Sequence, residues 1–340
     1  MKKFTFPLFS LLILWAFLFS GSLSLAQIPV VESHSSDALS ITQGATSVSL
    51  PIPKPNGVQN GDLLIATIRV NCDSNTSGIT ITPPTGWTLI RTDINTSRSR
   101  TSLYYKIANN EGDIYTWQGG GGVSAFYSIF GGVIRISNAD TNDPINVHSG
   151  NTTQNTSADV VASGVNTTED NALLLYVGSI SRVQGTFSTP AGMTKVFDRS
   201  TIYDGGVLYD DLGIMTVAWE DRPTAGSTGN RTASASAAGL YQTGQLLAIN
   251  PGPPVPIEVY RSRQSGTWNS SDTWDQQFTD ESWQNSANVP SAEPITNLFY
   301  PDIKATARYQ TGSTISDHSV TLPDGIQAGD LLLMVFRAGS

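Results

Sequence analysis

The apolar residues of this chain come in short runs, each closed off by Gly, Pro, Asn or Asp, and almost nowhere at the spacing of a helix face. A strand needs only about four to eight such residues, whereas an amphipathic helix needs about ten or more with apolar positions recurring every third or fourth residue. The runs place thirteen short strands at Ser47–Ile52, Leu63–Val70, Thr88–Asp93, Ser102–Ile107, Ile114–Trp117, Ala125–Phe130, Gly132–Ser137, Asp159–Ala162, Ala172–Ser179, Met193–Asp198, Gly213–Trp219, Arg231–Ala237 and Gly244–Ile249. So many strands in one stretch predict an all-β module, an antiparallel two-sheet sandwich of jelly-roll type. Leu63-Leu64-Ile65 and Leu173-Leu174-Leu175 are apolar at every position. They read as central strands covered on both faces, or with an outward face under a loop.

The chain repeats itself at two levels. Asn56-Gly57-Val58-Gln59-Asn60-Gly61-Asp62-Leu63-Leu64 returns as Asp324-Gly325-Ile326-Gln327-Ala328-Gly329-Asp330-Leu331-Leu332, and seven of the fifteen residues from 56 to 70 are identical in 324–338. Ser47-Val48-Ser49-Leu50-Pro51 likewise returns as Ser319-Val320-Thr321-Leu322-Pro323. The expectation is one whole module followed by the opening strands of a second, in a longer tandem array. A fainter repeat lies inside the module. Thr82–Thr88 resembles Ser188–Thr194, Phe126–Ser137 resembles Gly239–Asn250, and Asp62–Ile68 resembles Asn171–Val177. Each half is therefore expected to supply equivalent strands about a pseudo-twofold axis. Pro84-Thr85-Gly86 and Pro190-Ala191-Gly192 suit tight turns.

Residues 1–26 have the parts of an export signal: Lys2 and Lys3, an apolar stretch Leu8–Phe19, and Ser24-Leu25-Ala26 before Gln27. The alternative is a membrane anchor, for which the apolar run is short. The net charge of −9 becomes more negative once the two leader lysines are gone, and no basic stripe offsets it. That argues against nucleic acid and anionic membranes as partners. The one cysteine, Cys72, excludes an intrachain disulfide, so the fold must stand on its core, and a buried thiol is expected. The Asn-x-Ser/Thr sites at Asn75, Asn95, Asn151, Asn155, Asn166, Asn230 and Asn269 read as a by-product of Asn- and Thr-rich loops.

The expected organisation is a leader (1–26), the sandwich module (27–250), a Pro-rich linker (251–257), a Trp-rich segment (258–305) and the start of a second sandwich (306–340). The linker Pro251-Gly252-Pro253-Pro254-Val255-Pro256 favours an extended spacer. Tyr260-Arg261-Ser262, Ser265-Gly266-Thr267-Trp268, Thr273-Trp274 and Val289-Pro290 follow, and Trp283 completes the cluster. This string resembles a segment of large bacterial surface proteins exported by the type IX secretion route. The resemblance implies a secreted or cell-surface location and no particular chemistry. Within 28–250, Gly61-Asp62-Leu63-Leu64, Thr82–Ile90, Leu103–Ala108, Ala139–Ile145, Thr167–Ile180 and Leu246–Pro251 resemble a repeat of uncharacterised secreted bacterial and phage-tail proteins. That likeness carries no catalytic residues.

Candidate chemistry is sparse. Only His148 of the three histidines falls inside the module's predicted strands and loops, which leaves little to build a hydrolytic triad or a zinc site. Asp204, Asp210, Asp211, Glu220 and Asp221 form an acidic patch that would serve glycoside hydrolysis or, more plainly, a solvated sheet edge. Asp140, Asn142 and Asp143 offer oxygens for calcium, although they also suit an ordinary turn before Pro144. Gln118 to Gly122 lacks the lysine and helix of a phosphate loop and reads as a loop or strand bend. Tyr115 and Trp117, alternating on one strand face, and Trp219 are the candidate ligand-stacking residues, because sugar C–H faces stack on aromatic rings. Trp87 reads as a core plug. The expectation is a secreted, non-catalytic surface module that binds glycans or other surface polymers, with no cofactor unless calcium. The alternatives are an accessory module of a secreted polysaccharide-degrading enzyme whose catalytic domain is expected beyond residue 340, and a structural stalk repeat.

Overall fold

Alternating and continuous apolar runs both become strand, and among the described residues there is no helix. The computed structural model describes residues 24–25, 27–39, 42–73, 78–96, 98–201, 212–256, 260–262, 274–277 and 283–285. The chain divides into two units, Met1–Ile257 and Glu258–Ser340. The first contains, in order, β1 (Ser24–Leu25), β2 (Val30–Ala38), β3 (Thr42–Pro53), β4 (Leu63–Cys72), β5 (Thr80–Thr82), β6 (Thr88–Asn95), β7 (Ser99–Ile107), β8 (Ile114–Ser137) and β9 (Ile145–Thr153). It continues with β10 (Ser157–Ala162), β11 (Asn166–Thr167), β12 (Ala172–Ser181), β13 (Thr194–Ser200), β14 (Gly213–Arg222), β15 (Gly226–Ser227), β16 (Arg231–Ile249) and β17 (Val255–Pro256). In the second unit, β18 (Tyr260–Ser262), β19 (Trp274–Gln277) and β20 (Trp283–Asn285) form a small antiparallel sheet. Residues 306–340 lie outside the described residues.

Two large antiparallel sheets make the first unit. One runs β2-β8-β4-β7-β6, with β3 and β5 also on β8. The other has β9 and β10 on β16, followed by β12, β14 and β13. The predicted sandwich is therefore present. Strands of a jelly roll alternate between its sheets along the chain, whereas here each sheet takes its strands from one continuous half. Three predicted strands, 114–117, 125–130 and 132–137, are a single strand, β8; Arg231–Ala237 and Gly244–Ile249 likewise merge into β16.

The halves follow one plan. The order β2-β8-β4-β7-β6 corresponds to β9-β16-β12-β14-β13, and β3 sits on β8 as β10 sits on β16. β5 on β8 corresponds to the Phe187–Ala235 bridge. The edge strands β6 and β13 are irregular at the same place, between Leu89 and Arg91 and between Lys195 and Phe197. Pairing also corrects the sequence alignment by one residue. Leu63 faces Ile107 and Ile136, while Leu173 faces Asp221 and Ile249, so Leu63 corresponds to Leu173 and not to Ala172. In a strand, a slip of one turns every side chain to the wrong face.

Three apolar clusters give the layering. Leu63, Ile65, Leu103, Ile134 and Ile136 meet Leu173, Leu175, Val217, Leu247 and Ile249 between the sheets. The opposite faces of the central strands are also covered: Leu64, Ala66 and Ile68 under β3 and the first part of β8, and Leu174 and Tyr176 under β10 and the first part of β16. That double burial is why both central runs are apolar throughout. The two outer clusters reverse large and small residues at equivalent positions. In the first half, small Ala66 lies beside Tyr104, and Trp117 is in the same cluster. In the second, Tyr176 stands where Ala66 does, and Ala218 and Ala233 stand where Tyr104 and Trp117 do. A dense interior requires such exchange.

Further along the inner face, the interior turns polar. Fully buried Arg69 on β4 donates from Nε to Asn71 Oδ1 at 2.7 Å. Its Nη1 donates to Thr101, Ser179 and Thr243 hydroxyls at 3.1, 2.8 and 3.3 Å, and its Nη2 to Ser181 Oγ and Tyr241 O, both at 2.8 Å. One guanidinium thus ties β4 and β7 of one sheet to β12 and β16 of the other.

The recurring phrase at 56–64 is a structural device. Gly57 and Gly61 have φ of 71° and 92°, a region that glycine enters at little steric cost. The Asp62 carboxylate accepts the Gln59 N–H at 2.7 Å and pairs with Arg135 at 2.6 Å, fixing the turn that launches β4. Tyr176→Ala should cost about 3–5 kcal/mol of stability, the range for deleting a buried aromatic ring. Urea unfolding measures this, and a loss below about 1 kcal/mol would refute close packing under the second flap.

Candidate functional site

Tyr115 and Trp117 do share one face of β8, but it is the inner one. They are 4% and 0% exposed and belong to the outer core of the first half with Trp87 and Tyr104. Trp87 meets both edge-on, at centroid distances of 5.3 and 5.2 Å, and Tyr104 tilts against Trp117 at 5.0 Å. Edge-to-face packing of this kind stabilises a core. It leaves no ring face for a sugar, so the expected stacking platform is corrected to a buried aromatic cluster. Burial, and then the neighbouring Glu111 carboxylate, raises the Tyr115 phenol well above its ordinary range. Trp219 is half-buried and packs against the inter-sheet core.

The other candidates are also accounted for locally. Asp140 Oδ1 accepts the N–H groups of Asn142 and Asp143 at 2.8 and 3.2 Å, so the calcium candidates form an Asx-type turn. Among the described residues, no group of three or more His, Cys, Asp or Glu is placed to hold a metal. Glu220 pairs with Arg231 at 2.6 Å. Asp221 is exposed, and desolvation raises its carboxyl. Asp204, Asp210 and Asp211 lie outside the described residues. Cys72 is buried and outside any disulfide. Gln118 to Gly122 continues β8 rather than forming a loop.

Ion pairs lie mostly within a half, but contacts at both edges join the sheets. Arg199 bonds Asp37 at 2.6 Å between β13 and β2, and Arg91 bonds His148 Nδ1 at 3.0 Å between β6 and β9. These edges correspond under the duplication. So do the histidines: His34 faces Ile134 on β8 and His148 faces Leu247 on β16. His34 stacks on Phe197 at 5.4 Å.

What sequence reasoning passed over is the outer face of the first flap, where β3, β5 and the first part of β8 lie side by side. Ser49 faces Gln118, which faces Thr82; Ser47 faces Gly120, which faces Thr80. All the side chains of these two rows are exposed. A cleft of about 390 Å³ lies elsewhere, lined by Thr168–Asn171 and Pro251–Pro254. The signal for the flap face was present in Ser47-Val48-Ser49-Leu50, Thr80-Ile81-Thr82 and Thr116-Trp117-Gln118, which alternate polar and apolar at period two. Neither a known family, nor a curated protein, nor a solved structure matches the chain.

Burial lowers the imidazole pKa of His34; burial and then Arg91 lower that of His148. A depressed native value means that the unfolded chain takes up protons first as pH falls. Stability contributed by neutral imidazole is therefore present above about pH 6.5 and lost on acidification below it. The double variant His34→Gln, His148→Gln should show a shallower fall in thermal midpoint between about pH 6.5 and 5 than the wild type. An unchanged slope would rule out these histidines as its source.

Proposed function

We propose that the first unit is a secreted, non-catalytic module of a larger surface-displayed repeat protein, and that it makes adhesive contacts with glycans or other surface polymers. The observation that carries this reading is where the chain enters and leaves. Val30 pairs with Ser137, Ala139 bridges Pro251, and the Gly252 N–H donates to Asn138 O at 2.8 Å. Gly252 also packs against the Gln27 side chain. Entry at 27–30 and exit at 250–252 therefore share one end of the sandwich. A module arranged so hangs from the chain and adds little to its contour length. That favours display over the stalk alternative, in which each repeat extends the array. The leader-like 1–26 and the resemblance of 258–291 to type IX-exported surface proteins support a cell-surface location.

Particles coated with the secreted chain should resist detachment under flow from cell or polysaccharide surfaces, in a manner that free chain competes away, and should release no reducing sugar. Detachment at the rate of uncoated particles, or steady release of sugar, would overturn the proposal.

A further inference from the structure

The flap of β3, β5 and the first part of β8 is two-faced. Val48, Leu50, Ile81, Tyr115 and Trp117 point into the core, while hydroxyls and one amide point outward. Between the outward rows lies a groove of about 260 Å³, lined by Thr46, Ser47, Thr80, Thr82, Gln118, Gly119 and Gly120. Its floor is open because Gly120 carries no side chain. A Cβ there would strike the β3 backbone at Thr46 and Ser47, so the close approach of β3 keeps this position glycine. The volume falls just under the roughly 300–1,000 Å³ of sites that enclose a whole small molecule. It suits one ring of a longer polymer lying along the face.

Three of the groove's four hydroxyls are available; the fourth, Thr80 Oγ1, donates to Gly120 O at 3.0 Å. The hydroxyls of Thr46, Ser47 and Thr82 make no hydrogen bond within the described residues. Gln118 Nε2 donates to Ser49 Oγ at 2.9 Å, which holds the amide upright beside the groove. The corresponding face of the second half differs. There the Ser234 hydroxyl donates to Asp159, its N–H donates to Ser188 Oγ at 3.0 Å, and Ser188 Oγ donates to Ser234 O at 3.2 Å. Both halves tie their flap strands by cross-strand polar bonds, but the second places the exposed Asp159 carboxylate on this face where the first has the neutral Ser49. The outward hydroxyls of β3 also return in the second copy, Ser47 as Ser319 and Ser49 as Thr321.

We infer that this groove binds an uncharged polysaccharide strand, an assignment that rests on the surface-binding role proposed above. Charge selects the ligand class. No ionisable side chain lines the groove, and the chain as a whole is acidic at −9. An anionic polymer is repelled and a cationic one finds no carboxylate, whereas neutral sugar hydroxyls match an array of hydroxyls and amide. With no exposed aromatic in the groove, the hydrogen bonds are modest one by one. Repeated copies along one polymer strengthen them by raising effective concentration.

Affinity electrophoresis of the secreted chain tests this, in gels containing a mixed-linkage β-glucan, a galactomannan, soluble starch or alginate. Retardation is expected in at least one neutral gel and not in alginate. Thr82→Val and Gln118→Ala should each weaken it about fivefold, the scale of one lost hydrogen bond, while Ser188→Ala on the other half should not. No retardation in any neutral gel, preference for alginate, or retardation untouched by both groove variants would overturn the assignment. If those variants still hold particles under flow as the wild type does, the groove assignment fails and the wider surface role stands.

Discussion

One buried charge organises the middle of the sandwich. Moving a guanidinium out of water costs several kcal/mol even after the protein relaxes. At Arg69 that cost is met by six hydrogen bonds to neutral oxygens from four strands, two in each sheet. Desolvation pushes its pKa down to about 9, so it stays charged at neutral pH. An apolar contact between sheets tolerates sliding; five N–H donors in a fixed fork do not. Arg69 therefore sets the register of one half against the other. It also explains why the inner face changes from Leu63 and Ile65 to Thr67, Arg69 and Asn71 along a single strand, answered by Ser179 and Ser181 on β12. Tyr241, with a φ of 54°, is part of the same arrangement: its left-handed backbone accompanies a carbonyl turned to Arg69.

Around that hub, the two halves share one plan and fill it with different side chains. The outer cores show how far they have diverged in side-chain size. Ala66 beside Tyr104 in one half becomes Tyr176 beside Ala218 in the other, and Tyr176 spends its hydroxyl on Val160 O at 2.7 Å. The outer flap faces diverged in polarity by the same route. In the second half the Ser234 hydroxyl donates to the exposed Asp159 carboxylate, whereas in the first the corresponding cross-strand pair is neutral, Gln118 to Ser49.

Legibility followed burial. The central strands β4 and β12 stood out because two covered faces demand apolar residues at every position. The edge strands β2 and β9 did not. Val30–Ala38 and Ile145–Thr153 are polar on both sides of the pleat, so Glu32, His34, His148 and Asn151 carry no period-two signal. The aromatic pair Tyr115 and Trp117 was correctly placed on a common face, but a face has no intrinsic direction. Only the fold of β8 back over its own sheet decides that the rings point inward and that Thr116 and Gln118 point outward. That fold depends on contacts between β8 and both β3 and β4, remote in sequence, which no local pattern encodes. The internal repeat was visible, yet its register slipped by one residue, because Asp62-Leu63-Leu64 and Asn171-Ala172-Leu173-Leu174 align about equally well either way until pairing is known.

The phrase that recurs at 324–332 gains its meaning from this geometry. Gly57, Gly61 and Asp62 build a turn whose carboxylate binds Arg135, at the far end of β8 in sequence but next to β4 in space. The recurrence carries the two glycines and the aspartate of this turn, as Gly325, Gly329 and Asp330. The turn is thus a commitment made early and completed late, when the distant strand arrives to supply the cation. Its outward neighbour in the same segment, Ser47-Val48-Ser49, follows a different constraint: Val48 must fill the core, while the serines are answerable only to what lies outside. The sequence carries hydroxyl residues again, Ser319 and Thr321, at the positions that match Ser47 and Ser49.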